Sequence, residues 1–206
     1  MSDLFLPGVI VISAPSGAGK STVLARLLEE VSGLHFSVSH TTRAPRVGES
    51  DGRQYHFVDR ERFQEMIHGE HLLEWAEVHG HYYGTARTEY EQAREARCDL
   101  VLDLDVQGAA LVRRCFSDAV TIFLLPPSLA ELERRLRKRA KDAEEAILRR
   151  LQGARAELER FEEFDYVVVN DDVEGCLGQV KAVVMAARAR TGRMRAVGRR
   201  VLEGLS

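Results

Sequence analysis

Residues 9–22 constrain the possible folds of this chain most strongly. They read V-I-V-I-S-A-P-S-G-A-G-K-S-T, and their apolar, β-branched start predicts a buried strand. Two glycines, Gly17 and Gly19, interrupt this run before Lys20. Apolar residues then recur at helical spacing over residues 23–31, which predicts an amphipathic helix. The stretch therefore predicts a strand, a glycine-rich turn and a helix in direct succession.

Such a turn directs successive backbone N–H groups into one hollow at a helix N-terminus, where phosphate oxygens bind. The pattern G-x-x-x-x-G-K-[ST] is complete except that Ala14 replaces the first glycine, which costs little if φ is negative there. Lys20 is expected to reach the β- and γ-phosphates, and Ser21 to offer its hydroxyl to Mg²⁺. The predicted nucleotide-binding residues are Ala14, Pro15, Ser16, Gly17, Ala18, Gly19, Lys20, Ser21 and Thr22.

The length, composition and net charge of the chain predict one soluble globular domain. The chain has 206 residues, of which 45% are hydrophobic and 30% charged, and a net charge of −3. That charge argues against nucleic acid or an anionic membrane as a partner, and no apolar run is long enough to span a bilayer. Cys98, Cys115 and Cys176 lie far apart, which favours reduced thiols over a metal site or disulfides. We expect a cytoplasmic protein.

The rest of the chain alternates between strand and helix patterns, which predicts an α/β fold with a parallel sheet covered on both faces. Strands are expected at residues 36–39, 98–106, 119–125 and 166–170. Helices are expected after the caps Asp59, Ser128 and Asp142, and over residues 173–190. The aromatic-rich residues 55–85 predict a small β-rich lobe inserted into this core. The arginine-rich tail, residues 188–200, is interpreted as a solvated helix extension, with a partner contact or a weak nucleic-acid patch left open.

A second anion site is indicated in and before the aromatic lobe. Arg43 and Arg46 share a short loop, and arginine side chains bind phosphate oxygens in bidentate fashion. Tyr55 and Tyr83 add phenolic donors. Together these residues are suited to the phosphate of an acceptor molecule.

Glu74 indicates which base that acceptor carries. An ionised carboxylate only accepts hydrogen bonds, and guanine presents adjacent donors at N1 and N2. Adenine presents one donor and one acceptor on that edge, so it would leave a group unpaired. Ser39 is placed to donate to guanine O6. A site built in this way discriminates strongly between bases.

Several segments in a fixed order resemble the guanylate kinases, particularly the bacterial enzymes. They are S-A-P-S-G-A-G-K-S-T at Ser13, F-S-V-S-H-T-T-R-A-P-R at Phe36, L-L-E-W-A-E-V-H-G-H-Y-Y-G-T at Leu72, L-D-L-D-V-Q-G-A at Leu102 and V-V-V-N-D-D at Val167. The resemblance covers most of residues 9–170. Bacterial members also resemble this chain in having alanine at the Ala14 position.

The resemblance implies a P-loop NTPase-type three-layer core with a parallel sheet (residues 1–35, 96–130 and 155–206), a small GMP-binding lobe (about 36–90) and a helical lid (about 131–154). It implies transfer of a phosphoryl group from ATP, with Mg²⁺, to GMP and dGMP in purine nucleotide metabolism. Arg43, Arg46, Tyr55 and Tyr83 would hold the GMP phosphate, and Ser39, Glu74, Thr85 and Asp103 the guanine. Asn170 would lie near the adenine, and Lys20, Arg43, Arg139 and Arg150 would act on the transferring phosphates.

Some assignments stay open at this level. Lys138 and Ala140 stand where many members have glycines, which puts the lid's hinge in question. Asp103 and Asp105 are suited either to GMP or to metal-bound water. A histidine pair, His79 and His81, is interpreted as a loop feature because no third metal ligand has suitable spacing. The oligomeric state is open, and a homo-oligomer is possible.

Two other functions are considered. Another phosphate-loop enzyme, such as a different nucleoside monophosphate kinase or a GTPase, shares the loop, although no N-K-x-D base-reading motif is present. A non-enzymatic binding module resembling the guanylate-kinase-like domains of scaffold proteins is the other alternative. The intact Gly19-Lys20-Ser21-Thr22 argues against it, because such domains have lost phosphate-loop residues.

Overall fold

The structure, a computed structural model, describes residues 6–46, 48–78, 80–139 and 144–204. Its strands, in chain order, are β1 (Val9–Ser13), β2 (Leu34–Phe36), β3 (His40–Thr41), β4 (His56–Phe57), β5 (Leu72–Val78), β6 (His81–Ala86), β7 (Asp99–Asp103), β8 (Val120–Leu125) and β9 (Tyr166–Val169). Its helices are α1 (Lys20–Glu30), α2 (Arg60–His68), α3 (Arg87–Glu95), α4 (Val106–Cys115), α5 (Leu129–Arg139), α6 (Glu144–Leu158), α7 (Val173–Arg188) and α8 (Thr191–Leu202).

A five-stranded parallel sheet in the order β2-β7-β1-β8-β9 forms the core. Alternate residues of β1 point to opposite faces. Ile10 and Ile12 pack with α1 and α7, whereas Val9 and Val11 pack with α3 and α4. The predicted α/β fold, a parallel sheet covered on both faces, is confirmed. Because all five strands run the same way, their carboxyl ends meet at one edge, where ligands bind in open α/β sheets.

A second, four-stranded sheet in the order β4-β3-β6-β5 carries the aromatic residues. Its apolar face packs against α2 through Phe63, Met66 and Leu72. The Asp59 cap is observed, because its Oδ1 accepts from the Arg62 amide at 2.6 Å. This sheet holds Glu74 on β5 and Thr85 on β6, cross-strand partners in the antiparallel register.

Helices α5 and α6 pack on each other through Leu132, Leu136 and Ala154. The Ser128 hydroxyl caps α5, accepting from the Glu131 amide at 3.1 Å. Side chains of α5 also approach the loop after β1 closely. A Cβ atom added at Gly17 in that loop would lie only 2.9 Å from Leu136 Cδ2 on α5. This approach fixes the two helices beside the predicted phosphate loop. Asp142, the other expected cap in this region, lies outside the described residues.

Three secondary-structure expectations are corrected, and one helix had not been expected. The first predicted short strand is displaced, since β2 ends at Phe36 and β3 begins at His40. The predicted strand 98–106 ends at Asp103, because Asp105 caps α4 by accepting from the amides of Gln107 and Gly108. Helix α3 was not predicted. The last predicted helix ends at Arg188, and the tail forms the separate helix α8. None of the described helices is long and apolar enough to cross a membrane.

Candidate functional site

The loop between β1 and α1 has the backbone conformation of a phosphate cradle. Gly17 and Gly19 adopt φ values of +92° and +96°, which glycine alone reaches without strain. The only non-glycine residues with positive φ in the described ranges are Glu70 and Arg97, so Ala14 is unstrained. The missing first glycine therefore does not disturb the loop. Helix α1 begins at Lys20, and its free N–H groups face the loop.

Asn170, at the carboxyl end of β9, braces this loop. Its Nδ2 donates to the Ala18 carbonyl oxygen at 2.7 Å, and the side chain is buried. A Cβ at Gly19 would lie 2.4 Å from the same Nδ2. Arg135 on α5 supports both partners, donating to the Ala18 oxygen at 3.3 Å and to the Asn170 oxygen at 3.2 Å. The loop is thus held from behind by an amide and a guanidinium.

Helix α6 contacts the same loop from the solvent side. Arg150 donates to the Ser16 hydroxyl at 3.3 Å, and Glu157 accepts from the Ser16 amide at 3.3 Å. In this structure Arg150 therefore contacts the phosphate loop through Ser16. The side chain of Arg139 lies outside the described part of the structure, as do Ala140 and His79. Their predicted roles stay predictions.

Lys20 forms an ion pair with Asp103 and donates to the Leu104 carbonyl oxygen at 3.2 Å. The pair exists because β1 and β7 are neighbours, with Ile12 opposite Asp103 in the register. Asp103 and Asp105 have different roles in the structure. Asp103 neutralises the loop lysine, whereas one oxygen of Asp105 caps α4.

The second sheet contains a buried carboxyl group. Glu74 is 6% exposed, and its Oε1 accepts from the Thr85 hydroxyl at 2.7 Å. Burial raises the pKa of Glu74 to about 7, and the negative charge of Asp105 adds to this against the opposing Thr85 hydrogen bonds. Ser39 is also buried. The site can offer a proton acceptor and a hydroxyl to a planar, hydrogen-bonding ligand.

The predicted anion cluster assembles only in part. The Tyr55 and Tyr83 rings lie 5.8 Å apart, and the Arg43 guanidinium lies 5.5 Å from the Tyr55 ring centre. Burial, and next the charge of Asp103, raise the pKa of Tyr55 to about 12, so the phenol stays a proton donor. Arg46 is exposed, and its backbone amide donates a hydrogen bond to Glu49.

Glu49 organises this loop. Its carboxylate accepts from Arg43 at 2.9 and 3.0 Å and from the Arg46 amide at 2.7 Å. Burial alone would raise the pKa of Glu49, but the Arg46 amide and the Arg43 guanidinium outweigh it and lower that pKa. A carboxylate thus already holds the arginine that is expected to bind an acceptor phosphate.

Comparison with known proteins decides the family. A sequence model of the family described as "Guanylate kinase" matches residues 7–187. The chain belongs to the guanylate kinase family. The guanylate kinase of Aromatoleum aromaticum is 50% identical over 186 residues, covering 90% of this chain and 91% of that protein. The guanylate kinase of Myxococcus xanthus is 49% identical, covering 91% of each chain.

A solved structure agrees with this assignment. The crystal structure of guanylate kinase from Anaplasma phagocytophilum superposes with a TM-score of 0.76 at 35% identity, covering 92% of this chain and 90% of that one. The P-loop NTPase fold of the family is therefore the fold of this chain. The phosphate loop lies in the sequence segment that begins at Ser13, and Glu74 and Thr85 lie in the segment that begins at Leu72. Both segments were among those that resemble this family.

The sequence analysis assigned no role to two residues that contact the predicted site, Arg135 and Glu49. Arg135 is the second residue of a basic run that begins at Arg134, and nothing local distinguishes it from its neighbours. Glu49 lies three residues after Arg46 in the same loop, and this spacing of an acid after two arginines could have indicated an internal partner. No group of three or more His, Cys, Asp or Glu side chains suited to a metal ion occurs among the described residues.

Proposed function

We propose that this chain transfers the γ-phosphoryl group of ATP to GMP, giving ADP and GDP. Besides family membership, one observation supports the proposal most directly, namely the position of Asp103. This carboxylate pairs with Lys20 of the phosphate loop, and its charge contributes, after burial, to the raised pKa of Tyr55. The phosphate loop and the arginine–tyrosine cluster therefore lie close enough for one carboxylate to interact electrostatically with both.

The chemistry proposed needs charge stabilisation more than proton transfer. The attacking atom is a GMP phosphate oxygen, which is already anionic at neutral pH, so no strong general base is required. Lys20, Arg43 and Arg150 are the described cations suited to the phosphates, and Arg139 is proposed as a further one. Arg43 is held by Glu49 and Lys20 by Asp103. A bound phosphate competes with these carboxylates for the same cations.

Base recognition is proposed for the Glu74 pocket. The ionised carboxylate would accept from guanine N1–H and N2–H, with Ser39 donating to O6. Thr85 already donates to Glu74 Oε1, which fixes the orientation of the carboxylate in the pocket. A base that offers an acceptor on this edge would leave a buried group unpaired.

The residues present fit a magnesium ion held mainly by nucleotide oxygens. Ser21 is exposed on the first turn of α1, and a hydroxyl oxygen is a ligand that Mg²⁺ accepts. Asp103 and Asp105 are engaged with Lys20 and with the α4 amides, so they are better placed to act through water. When bound, Mg²⁺ would neutralise charge on the β- and γ-phosphates.

We also propose the division into a core, a GMP-binding lobe over about residues 36–90 and a lid over about residues 131–154. Support comes from the separate second sheet and from the packing of α5 on α6 beside the loop. Closure of the lid would exclude water and bring Arg139 and Arg150 onto the phosphates. We further propose that dGMP is accepted, that the product serves purine nucleotide recycling, and that the protein acts in the cytoplasm.

A coupled assay of ADP formation with ATP, Mg²⁺ and GMP, AMP, CMP, UMP or dTMP tests the proposal. GMP should be the best acceptor, and Lys20→Ala should remove turnover with every acceptor. Higher turnover with another monophosphate would assign a different kinase, and hydrolysis without an acceptor would indicate a nucleotide triphosphatase. Absence of ADP with all acceptors would favour the binding-module alternative.

A further inference from the structure

A cavity of about 670 Å³ lies at the opposite end of the parallel sheet from the phosphate loop. Its floor includes Val9 and Ile10 at the start of β1 and Val120 at the start of β8, and α8 forms one wall. The phosphate loop follows the other end of β1. Helix α8 lies outside residues 7–187, which the family model matches. The cavity is therefore separate from the site described above.

The lining of this cavity is strongly cationic in a chain whose net charge is −3. Six of its residues are arginines and one is an acid, Asp118; the arginines are Arg97, Arg190, Arg193, Arg195, Arg199 and Arg200. Asp99 neutralises Arg193 from below, and Arg190 donates to the Asp118 carbonyl oxygen at 3.1 Å.

Among the described residues, three of these guanidinium groups have no carboxylate partner. Within the parts of the chain that the structure describes, no acid forms an ion pair with Arg97, Arg195 or Arg199. Arg195 and Arg199 lie one turn apart on α8, and Arg97 follows α3. All three residues are exposed, and their positive charges together create a local potential that attracts anions.

The cavity also contains an aromatic surface. The rings of Tyr90 and Phe116 lie 5.4 Å apart, and both residues line the cavity together with the apolar side chains of Leu6 and Val9. Burial, and next the charge of Asp118, raise the pKa of Tyr90, so its hydroxyl stays a donor. Flat apolar rings beside arginines suit a ligand with an aromatic base at one end and negative charge at the other.

We propose that this cavity binds a nucleotide with two or three phosphates, its base on Tyr90 and Phe116 and its phosphates on Arg97, Arg195 and Arg199. The volume lies within the range of about 300–1,000 Å³ typical of small-molecule sites. A single cavity of this size favours one nucleotide over a single-stranded nucleic acid, which needs a groove that continues past each base. The proposal does not depend on the phosphoryl transfer proposed above.

The test is a binding measurement with GTP as the probe. The active site is first saturated with an adenosine–guanosine polyphosphate bisubstrate analogue, and GTP is then titrated by calorimetry. We expect one further GTP per chain. Hydrogen exchange should show GTP-dependent protection of α8, a readout that does not rely on the analogue.

Three variants locate the site. Arg195→Glu combined with Arg199→Glu should weaken the second GTP site about tenfold or more, because two charge-assisted contacts become repulsive. Arg97→Gly should weaken it several-fold without endangering the fold, since Arg97 has a φ of +54° that glycine adopts more readily. The matched control exchanges Arg114 and Arg155 for Glu, because both are exposed and neither lines the cavity.

Several results would overturn the proposal. They are the absence of a second GTP site, an equal loss of affinity in the control, and protection confined to α1. Inorganic tripolyphosphate binding as tightly as GTP would remove the role of the aromatic surface. Displacement of GTP by single-stranded RNA at lower concentration would assign the arginines to nucleic acid instead.

Discussion

Acidification should weaken guanine binding through one carboxyl group, that of Glu74. The group is 6% exposed and burial raises its pKa to about 7. Recognition of guanine N1–H and N2–H requires the ionised form, because a protonated carboxyl group presents a donor where an acceptor is needed. Below the pKa, the protein must release a proton before it can bind the base.

The magnitude follows from the ionised fraction of Glu74. With a pKa of about 7, about nine tenths of the group is ionised near pH 8 and about one tenth near pH 6. The dissociation constant for the base should therefore rise about tenfold between these values, which corresponds to about 1.4 kcal/mol. The affinity is retained above the pKa and is lost as the pH falls through it.

Trp75 offers the assay. It is the only tryptophan of the chain, it follows Glu74 directly, and it is 41% exposed. Its fluorescence is followed while guanosine is titrated at several pH values. Guanosine is used because the phosphate of GMP itself titrates near a pKa of about 6. The control is Glu74→Gln, which should bind guanosine more weakly near pH 8 and without this pH dependence.

Two results would refute this reasoning. If wild-type affinity for guanosine were constant between about pH 6 and pH 8, Glu74 would not need to ionise for binding. If Glu74→Gln kept the wild-type pH dependence, another group would be responsible. A Glu74→Gln variant that lost affinity equally for ATP and GMP would also argue against base recognition by this residue.

Three further predictions concern the phosphate loop, the lid and the fold. Arg139→Ala and Arg150→Ala should each lower kcat by about 10³ or more while GMP still binds; near-normal turnover in a single-turnover assay would remove that arginine from the catalytic set. Asn170→Ala should raise the KM for ATP several-fold and leave GMP binding unchanged, because the Ala18 carbonyl oxygen loses the amide donor that lies 2.7 Å away. Steady-state kinetics with both substrates varied measures the two KM values. A rise in both together would contradict this prediction. Glu74→Gln should raise the free energy of unfolding near pH 8 by up to about 3 kcal/mol, because the buried carboxyl group has a pKa of about 7 instead of 4.5. This gain should shrink to under about 1 kcal/mol near pH 5, because that pH lies close to the unfolded pKa of 4.5 and ionisation of the unfolded carboxyl group then releases little free energy. Equal gains in urea titrations at both pH values would contradict it.

Local features of the fold could be predicted because their determinants are adjacent in sequence. The phosphate loop depends on Gly17 and Gly19, and the caps Asp59 and Ser128 act on amides three residues away. Helix α3 could not be predicted. Its buried residues are Glu89 and Ala93, so no apolar stripe marks it. Glu89 is instead paired with the distant His35, with 2.9 Å between Oε2 and Nε2.

The site shows the same difference between features set by neighbouring residues and features set by distant segments. The roles proposed for Lys20 and Glu74 rest on residues in their own segments. The Lys20–Asp103 pair depends on β7 lying beside β1, and the strand order does not follow from the order of strands along the chain. The contact of Arg135 with the loop likewise depends on how α5 packs, which residues near Arg135 do not determine. The break between α7 and α8 was missed because the arginine-rich tail was interpreted as an extension of the preceding helix and no proline marks the break.

A crystal structure with GMP and an unreactive ATP analogue bound together tests the central claim most directly. The account predicts the analogue's β- and γ-phosphates in the loop over residues 14–22 and the guanine against Glu74. It also predicts the GMP phosphate beside Arg43, Tyr55 and Tyr83, facing the γ-phosphate. A guanine bound away from Glu74, or a GMP phosphate that does not face the γ-phosphate, would contradict it.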